Sequence, residues 1–246
     1  MTEMTVNTFQ PMVPVTEFLV ADFMTALAAD PLDRGDRDVA HNVRPTDTRF
    51  RALMSETAWD MLPEAVRRRF ETPIPKGGMK LYAGAVVSTE LSRAGRVFAV
   101  LARIAGGPMP DTHGATGPAT VIVTEDKARG GQVWTRLFSR PGRNAQMITS
   151  VKRFAGPTGM EECLGHGFTM RLQLTAEVGA LVFRSAGYDI ELFGRRLRLP
   201  ALLAPGTCEI VHRNLGPTRF SFTLTLTHPL FGRLVRQEAH FEETRR

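Results

Sequence analysis

The sequence predicts an α+β protein in which N-terminal helices pack on a large, strongly curved antiparallel sheet. Three observations predict it. Hydrophobic spacing is helical over long stretches as far as Ile104 and changes to a period of two from Pro118 onward. The period-two runs are separated by turn clusters such as Ala128-Arg129-Gly130-Gly131 and Pro141-Gly142-Arg143-Asn144, too short for the crossovers that parallel strands need. The chain has 246 residues, 43% hydrophobic and 23% charged, a globular composition with enough length for a sizeable core.

Taken in order, residues 1–14 read as an irregular arm broken by Pro11 and Pro14. Thr16 is placed to cap a helix over Glu17–Ala29, with Phe18, Leu19, Phe23 and Leu27 at helical spacing. Asp30–Asp47 is dense in charge and reads as a solvated linker, so 1–47 forms an arm and 48–246 the main domain. That arm is a candidate dimerisation element. Thr48–Phe70 reads as a helical block with Phe50, Leu53, Trp59 and Leu62 on its apolar face, restarted by Pro63 at the first helical position. Leu81–Val87 reads as a strand and Ser88–Ile104 as a helix.

From Pro118 the alternation marks about nine or ten strands. Its clearest case sets Phe220, Phe222, Leu224 and Leu226 against Ser221, Thr223, Thr225 and Thr227. A twisted antiparallel sheet of that many strands curls into a half-barrel or a calycin-like β-barrel, which can hold one small ligand.

Lys and Arg exceed Asp and Glu by 31 to 25, a net charge of +6. The basic runs Arg67–Arg69 and Arg195, Arg196, Arg198 lack interleaved aromatics, which argues against a nucleic-acid surface. Val15–Ala29, the most apolar early stretch, is interrupted by Glu17 and Asp22 and is too short to span a membrane. The N-terminus shows neither a basic nor an apolar leader region, and the two cysteines, Cys163 and Cys208, form no paired motif. The expectation is a cytoplasmic protein with reduced thiols. No phosphate-binding glycine loop, nucleophile elbow or metal-binding pattern is present, so no cofactor and no metal are expected.

Three constellations carry chemistry. Trp134, Arg136 and Phe138 share one face of a strand, where an arginine between aromatics can anchor an anionic or carbonyl group. Glu161 and Glu162 point to opposite faces; Glu162 shares its side with Met160 and Leu164 and is the inward candidate, with His166 close by. Glu209 and His212 also fall on opposite faces, His212 on the side of Cys208 and Ile210.

The ordered pieces Trp134-x-Arg136-x-Phe138, Ser150, Glu162-x-x-Gly165, Leu199–Pro205, Glu209, Phe220-x-Phe222 and Pro229–Val235 resemble the bacterial domain of unknown function DUF4166, over roughly Ser55 to Glu243. The resemblance implies that Trp134, Arg136, Glu162, Pro200, Pro205 and Glu209 occupy that family's characteristic positions. Two departures stand out: Gln237-Glu238-Ala239 replaces a Tyr-x-Gly, and Phe70 stands where a histidine is expected.

Two functions follow as expectations. The first is binding of a hydrophobic small molecule (a lipid, terpenoid or aromatic compound) in a barrel cavity, with Trp134, Arg136, Phe138, His166, His212 and Phe222 as ligand-binding residues. The alternative is a cofactor-independent lyase, isomerase or hydrolase acting on such a ligand. It would use Glu162 or Glu209 as acid/base, its pKa raised in the cavity, and Arg136 to stabilise an oxyanion.

Overall fold

The computed structural model describes residues 46–104, 109, 114–140 and 142–243. The arm 1–14, the helix expected at 17–29 and almost all of the linker lie outside the described residues.

The helical block is broken into pieces where the sequence supplies caps. A 3-10 turn, Arg51–Leu53, precedes α1, Glu56–Asp60; the Ser55 hydroxyl accepts the Ala58 N–H at 3.2 Å and starts α1. Pro63 is the N-cap of α2, Glu64–Glu71, one residue before the position expected for it. Val66, Arg69 and Phe70 are the buried face of α2. Lys80 closes its far end, donating to the carbonyls of Arg69 and Thr72, where a cation suits the helix dipole.

β1, Met79–Leu91, runs four residues further than expected, and α3 is only Arg93–Ile104. The expectation of a helix from Ser88 fails because a bulge between Val86 and Ser88 shifts the pairing with the last strand. Burial therefore changes parity, from Tyr82 and Val86 to Thr89 and Leu91. Ser92 then caps α3, its hydroxyl accepting the Gly95 N–H at 3.0 Å.

The remaining strands are β2 (Gly117–Asp126), β3 (Gly131–Arg140), β4 (Arg143–Arg153), β5 (Met160–Gly165), β6 (Phe168–Glu177), β7 (Ala180–Leu192), β8 (Arg195–Arg198), β9 (Thr207–Asn214), β10 (Arg219–His228) and β11 (Gly232–Glu243). Their order is β6-β5-β4-β3-β2-β1-β11-β10-β9-β7, and β7 also pairs with β6, which closes an antiparallel barrel of ten strands. β7 does two jobs on one edge: Ala180–Arg184 pairs with β9, and Asp189–Leu192 pairs with β8, a short flap outside the barrel circuit. In the sequence the flap shows only as the basic run Arg195, Arg196, Arg198; all four of its residues are exposed, so it carries no alternation to read. A ten-stranded barrel is wider than the eight-stranded kind whose interior side chains nearly fill.

Two apolar clusters occupy the interior. One gathers Phe50, Trp59 and Phe70 with Met160, Leu172 and Phe183; the Phe50 and Phe70 rings meet Phe183 at 6.4 and 5.9 Å. The other gathers Tyr82, Val123, Trp134, Phe138, Phe220 and Phe241. Among the described residues, no helix is long and apolar enough to cross a membrane.

Candidate functional site

Strand register assembles a charged cluster inside an apolar barrel. On β3, Trp134 and Phe138 are buried and Arg136 lies between them on the same face. Across β3 and β4, Trp134 faces Ser150 and Gln132 faces Lys152; across β4 and β5, Lys152 faces Glu162. Four polar side chains from three neighbouring strands therefore converge.

Glu162 is at the centre. The Ser150 hydroxyl donates to Glu162 Oε1 at 2.5 Å, and Arg136 Nη2 reaches the same oxygen at 3.4 Å. Arg136 Nη1 donates to Ser150 Oγ at 3.0 Å. Lys152 Nζ lies 2.7 Å from Glu162 Oε2. Lys152 is also near the Trp134 and Phe183 rings, 5.1 and 5.8 Å from their centroids. Burial would raise the Glu162 carboxyl, but the Lys152 ammonium and the Arg136 guanidinium outweigh it and hold it at about 2. Burial pushes Lys152 below the ordinary lysine value against the pull of Glu162.

This cluster borders a cavity. Its outer compartment, about 280 Å³, has walls from β3–β7 and β9–β11 together with Phe98, Leu101 and Ala102 of α3. Apolar side chains such as Phe138, Ile148, Met170 and Leu226 dominate it; the polar exceptions are Arg136, Glu162, Tyr188, Cys208 and Gln237. An inner compartment of about 70 Å³ shares Arg136, Phe138, Leu224 and Gln237 with it and adds Trp134, Lys152 and Phe222. A third hollow, only about 20 Å³, lies by Arg69, Tyr82 and His212.

The expected site residues divide accordingly. Trp134, Arg136, Phe138, Glu162 and Phe222 meet at the two compartments. His212 does not line the large cavity. It is fully buried, its ring stacks on Phe220 at 4.8 Å, and its Nε2 lies 3.3 Å from Arg69 Nη1. Burial first, and then the Arg69 charge, push it down to about 3. The ring is neutral and accepts from Arg69, which is held at its other end by Glu243 at 2.6 Å.

Two more of the expected residues lie away from this cavity. His166 is exposed in the β5–β6 turn at φ 46° and is absent from the cavity wall. Glu209 is on the outer face of β9, paired with Arg184 at 2.5 Å, because alternation that sends Cys208 and His212 inward sends Glu209 out. Nor does a raised carboxylate pKa mark the cavity: Glu162 is held low.

Lys152, Tyr188 and the α3 residues were not singled out from the sequence as site residues, and Gln237 stood out only as a departure from the family pattern. The signal for Lys152 was its parity: Ile148, Ser150 and Lys152 alternate on β4, and all three are buried. Glu161 is 4% exposed but on the opposite face, clamped by Arg196 of β8 at 2.6 Å. Arg196 also reaches Asp189 of β7 at 2.6 Å, which fastens the flap. Cys208 borders the cavity with its thiol pushed up to about 12 by burial and then by Glu162, so it is no thiolate nucleophile near neutral pH. Among the described residues no group of three or more His, Cys, Asp and Glu side chains is arranged to hold a metal.

Fold and site together define a class: a closed antiparallel β-barrel with an internal apolar cavity and a buried cationic cluster on its wall. Within that class the chain belongs to the DUF4166 family, a domain of unknown function, whose profile matches residues 62–241. No curated protein and no solved structure matches the chain.

Proposed function

We propose that the protein binds a hydrophobic small molecule (a lipid, terpenoid or aromatic compound) inside the barrel. The observation that carries this reading is the cavity: about 280 Å³, apolar over most of its wall, with Arg136 and Glu162 in contact among its few polar groups. That is the usual make-up of a ligand pocket, where apolar walls supply affinity and sparse polar groups fix orientation. Arg136 and Trp134 anchor the ligand. The Phe70 ring packs against Phe183 and His212, and α3 contributes Phe98, Leu101 and Ala102 to the cavity wall. A cytoplasmic setting agrees with the two free cysteines, Cys163 and Cys208.

Binding is favoured over acid/base catalysis on the same ligand. General acids and bases work best near the ambient pH, whereas Glu162 is pinned at about 2 between two cations and Glu209 faces outward.

Native mass spectrometry of the purified protein, beside titration with the neutral apolar dye Nile red, tests the reading. A retained apolar compound, or saturable dye uptake at one site per chain, is expected. A protein that is empty and takes up no dye would refute it.

A further inference from the structure

We propose that the ligand is an apolar monoanion, with a carboxylate head seated on Arg136 and a hydrocarbon body of about eight to ten carbons in the outer compartment. The proposal rests on the cavity-binding reading above and names the chemical class that the cavity selects.

The charges decide it. The charged side chains on the walls of the two compartments are Arg136, Lys152 and Glu162: two cations share one carboxylate. Both oxygens of that carboxylate are already engaged. Oε2 has Lys152 at 2.7 Å, and Oε1 accepts from Ser150 at 2.5 Å. Arg136 is the loosely held member, at 3.4 Å from Oε1. It is also the one with access to the cavity: its side chain is 20% exposed against 4% for Lys152, and it borders both compartments. Its guanidinium keeps donors beyond those used for Ser150 and Glu162.

A guanidinium with an incomplete counter-charge in apolar surroundings is costly. A ligand carboxylate supplies the missing charge in the forked geometry that a guanidinium matches. A neutral alcohol or ketone leaves the charge uncompensated, and an amine adds a third cation. The remaining walls give the body of the ligand nothing to hydrogen-bond over Phe98, Leu101, Ile148, Met170 and Leu226. At about 30 Å³ per heavy atom, the outer compartment accommodates roughly nine such atoms.

Isothermal titration calorimetry of the full chain near neutral pH, with decanoate, decan-1-ol and decylamine as matched probes, tests this. Decanoate is expected to bind about tenfold or more tighter than decan-1-ol, with decylamine weakest. In Arg136→Gln, decanoate should lose its advantage while decan-1-ol binding persists. If that variant does not fold, Arg136→Lys takes its place; it keeps the charge but not the fork, and decanoate should weaken several-fold while remaining the preferred probe. Equal affinity for decanoate and decan-1-ol, a preference for the amine, or a decanoate advantage that survives Arg136→Gln would overturn the proposal and leave the cavity reading standing. Binding of none of the three while Nile red is still taken up would overturn the proposal alone; absence of dye uptake as well would overturn both.

Discussion

Glu162 is the shared counter-charge of buried Lys152 and part-buried Arg136, so its removal should cost more than the loss of one hydrogen bond. Glu162→Gln leaves Lys152 and Arg136 facing each other without a carboxylate, and a buried pair broken from one side costs about 3–5 kcal/mol. The double variant Glu162→Gln/Lys152→Met removes the stranded ammonium and should recover part of that loss. Urea unfolding of the two variants checks it; equal losses would mean that Lys152 does not depend on Glu162. Glu162 and, apart from its cluster, His212 set an acid limit. Glu162 is depressed from 4.5 to about 2 and His212 from 6.5 to about 3. In both windows the unfolded chain binds more protons than the folded one. Stability is therefore full above about pH 6.5, falls as pH drops through the His212 window, and falls more steeply below 4.5 as Glu162 joins. Each group contributes a slope of about 1.4 kcal/mol per pH unit inside its window. His212→Gln keeps an acceptor for Arg69 but does not titrate, so its stability should stay level down to about pH 4.5; unfolding midpoints across pH 3 to 7 would show it. At this scale the sequence was legible wherever parity decides. Trp134, Arg136, Phe138 and Glu162 sit on the cavity side because alternation places them there. Which cavity an inward side chain such as His212 or Glu162 meets depends on partners from other strands, and no local pattern encodes that.

α3 is held by a close approach rather than by length. Gly95 sits over β11, where an added Cβ would strike the Leu234 carbonyl oxygen; that same oxygen accepts the Ser92 N–H at 3.0 Å. Gly95→Ala should therefore push the helix off the strand. The expected cost is about 1–3 kcal/mol despite alanine's better helix propensity, read as a fall in Tm of roughly 2–4 °C per kcal/mol. A Tm equal to or above that of the parent would show that the helix lies free of β11. Because Phe98, Leu101 and Ala102 line the cavity, the same variant should also weaken uptake of an apolar dye. Elements were legible in the sequence as far as their alternation ran unbroken. The bulge between Val86 and Ser88 hid the second half of β1, and the register shift opposite Arg171 and Leu172 breaks the alternation along β7. β8 was invisible for a different reason: what holds it is Arg196 on Glu161 and Asp189, a charge pairing with no periodicity.

For the whole molecule, strand number and turn length pointed to a curved antiparallel sheet, but closure did not follow from them. It depends on β7 pairing with β6 on one edge and β9 on the other, a long-range choice made by packing. Closure creates a void that a well-packed core would not keep, since interiors are normally as dense as organic crystals. A void retained at the centre of a fold marks a site where stability has been given up for function. Leu224 stands at the junction of the two compartments and makes the trade-off measurable. Leu224→Trp adds volume there. In a filled core such a change would overpack and destabilise by about 1–3 kcal/mol. In this barrel the indole has a cavity to enter, so stability should hold or rise by about 0.5–2 kcal/mol, while ligand and dye binding are lost. Denaturant unfolding and dye titration on the same sample read both quantities. Loss of stability with binding intact would mean that Leu224 packs against solid core and that the ligand lies elsewhere; a stable protein that no longer binds would place the ligand between Arg136 and the apolar wall.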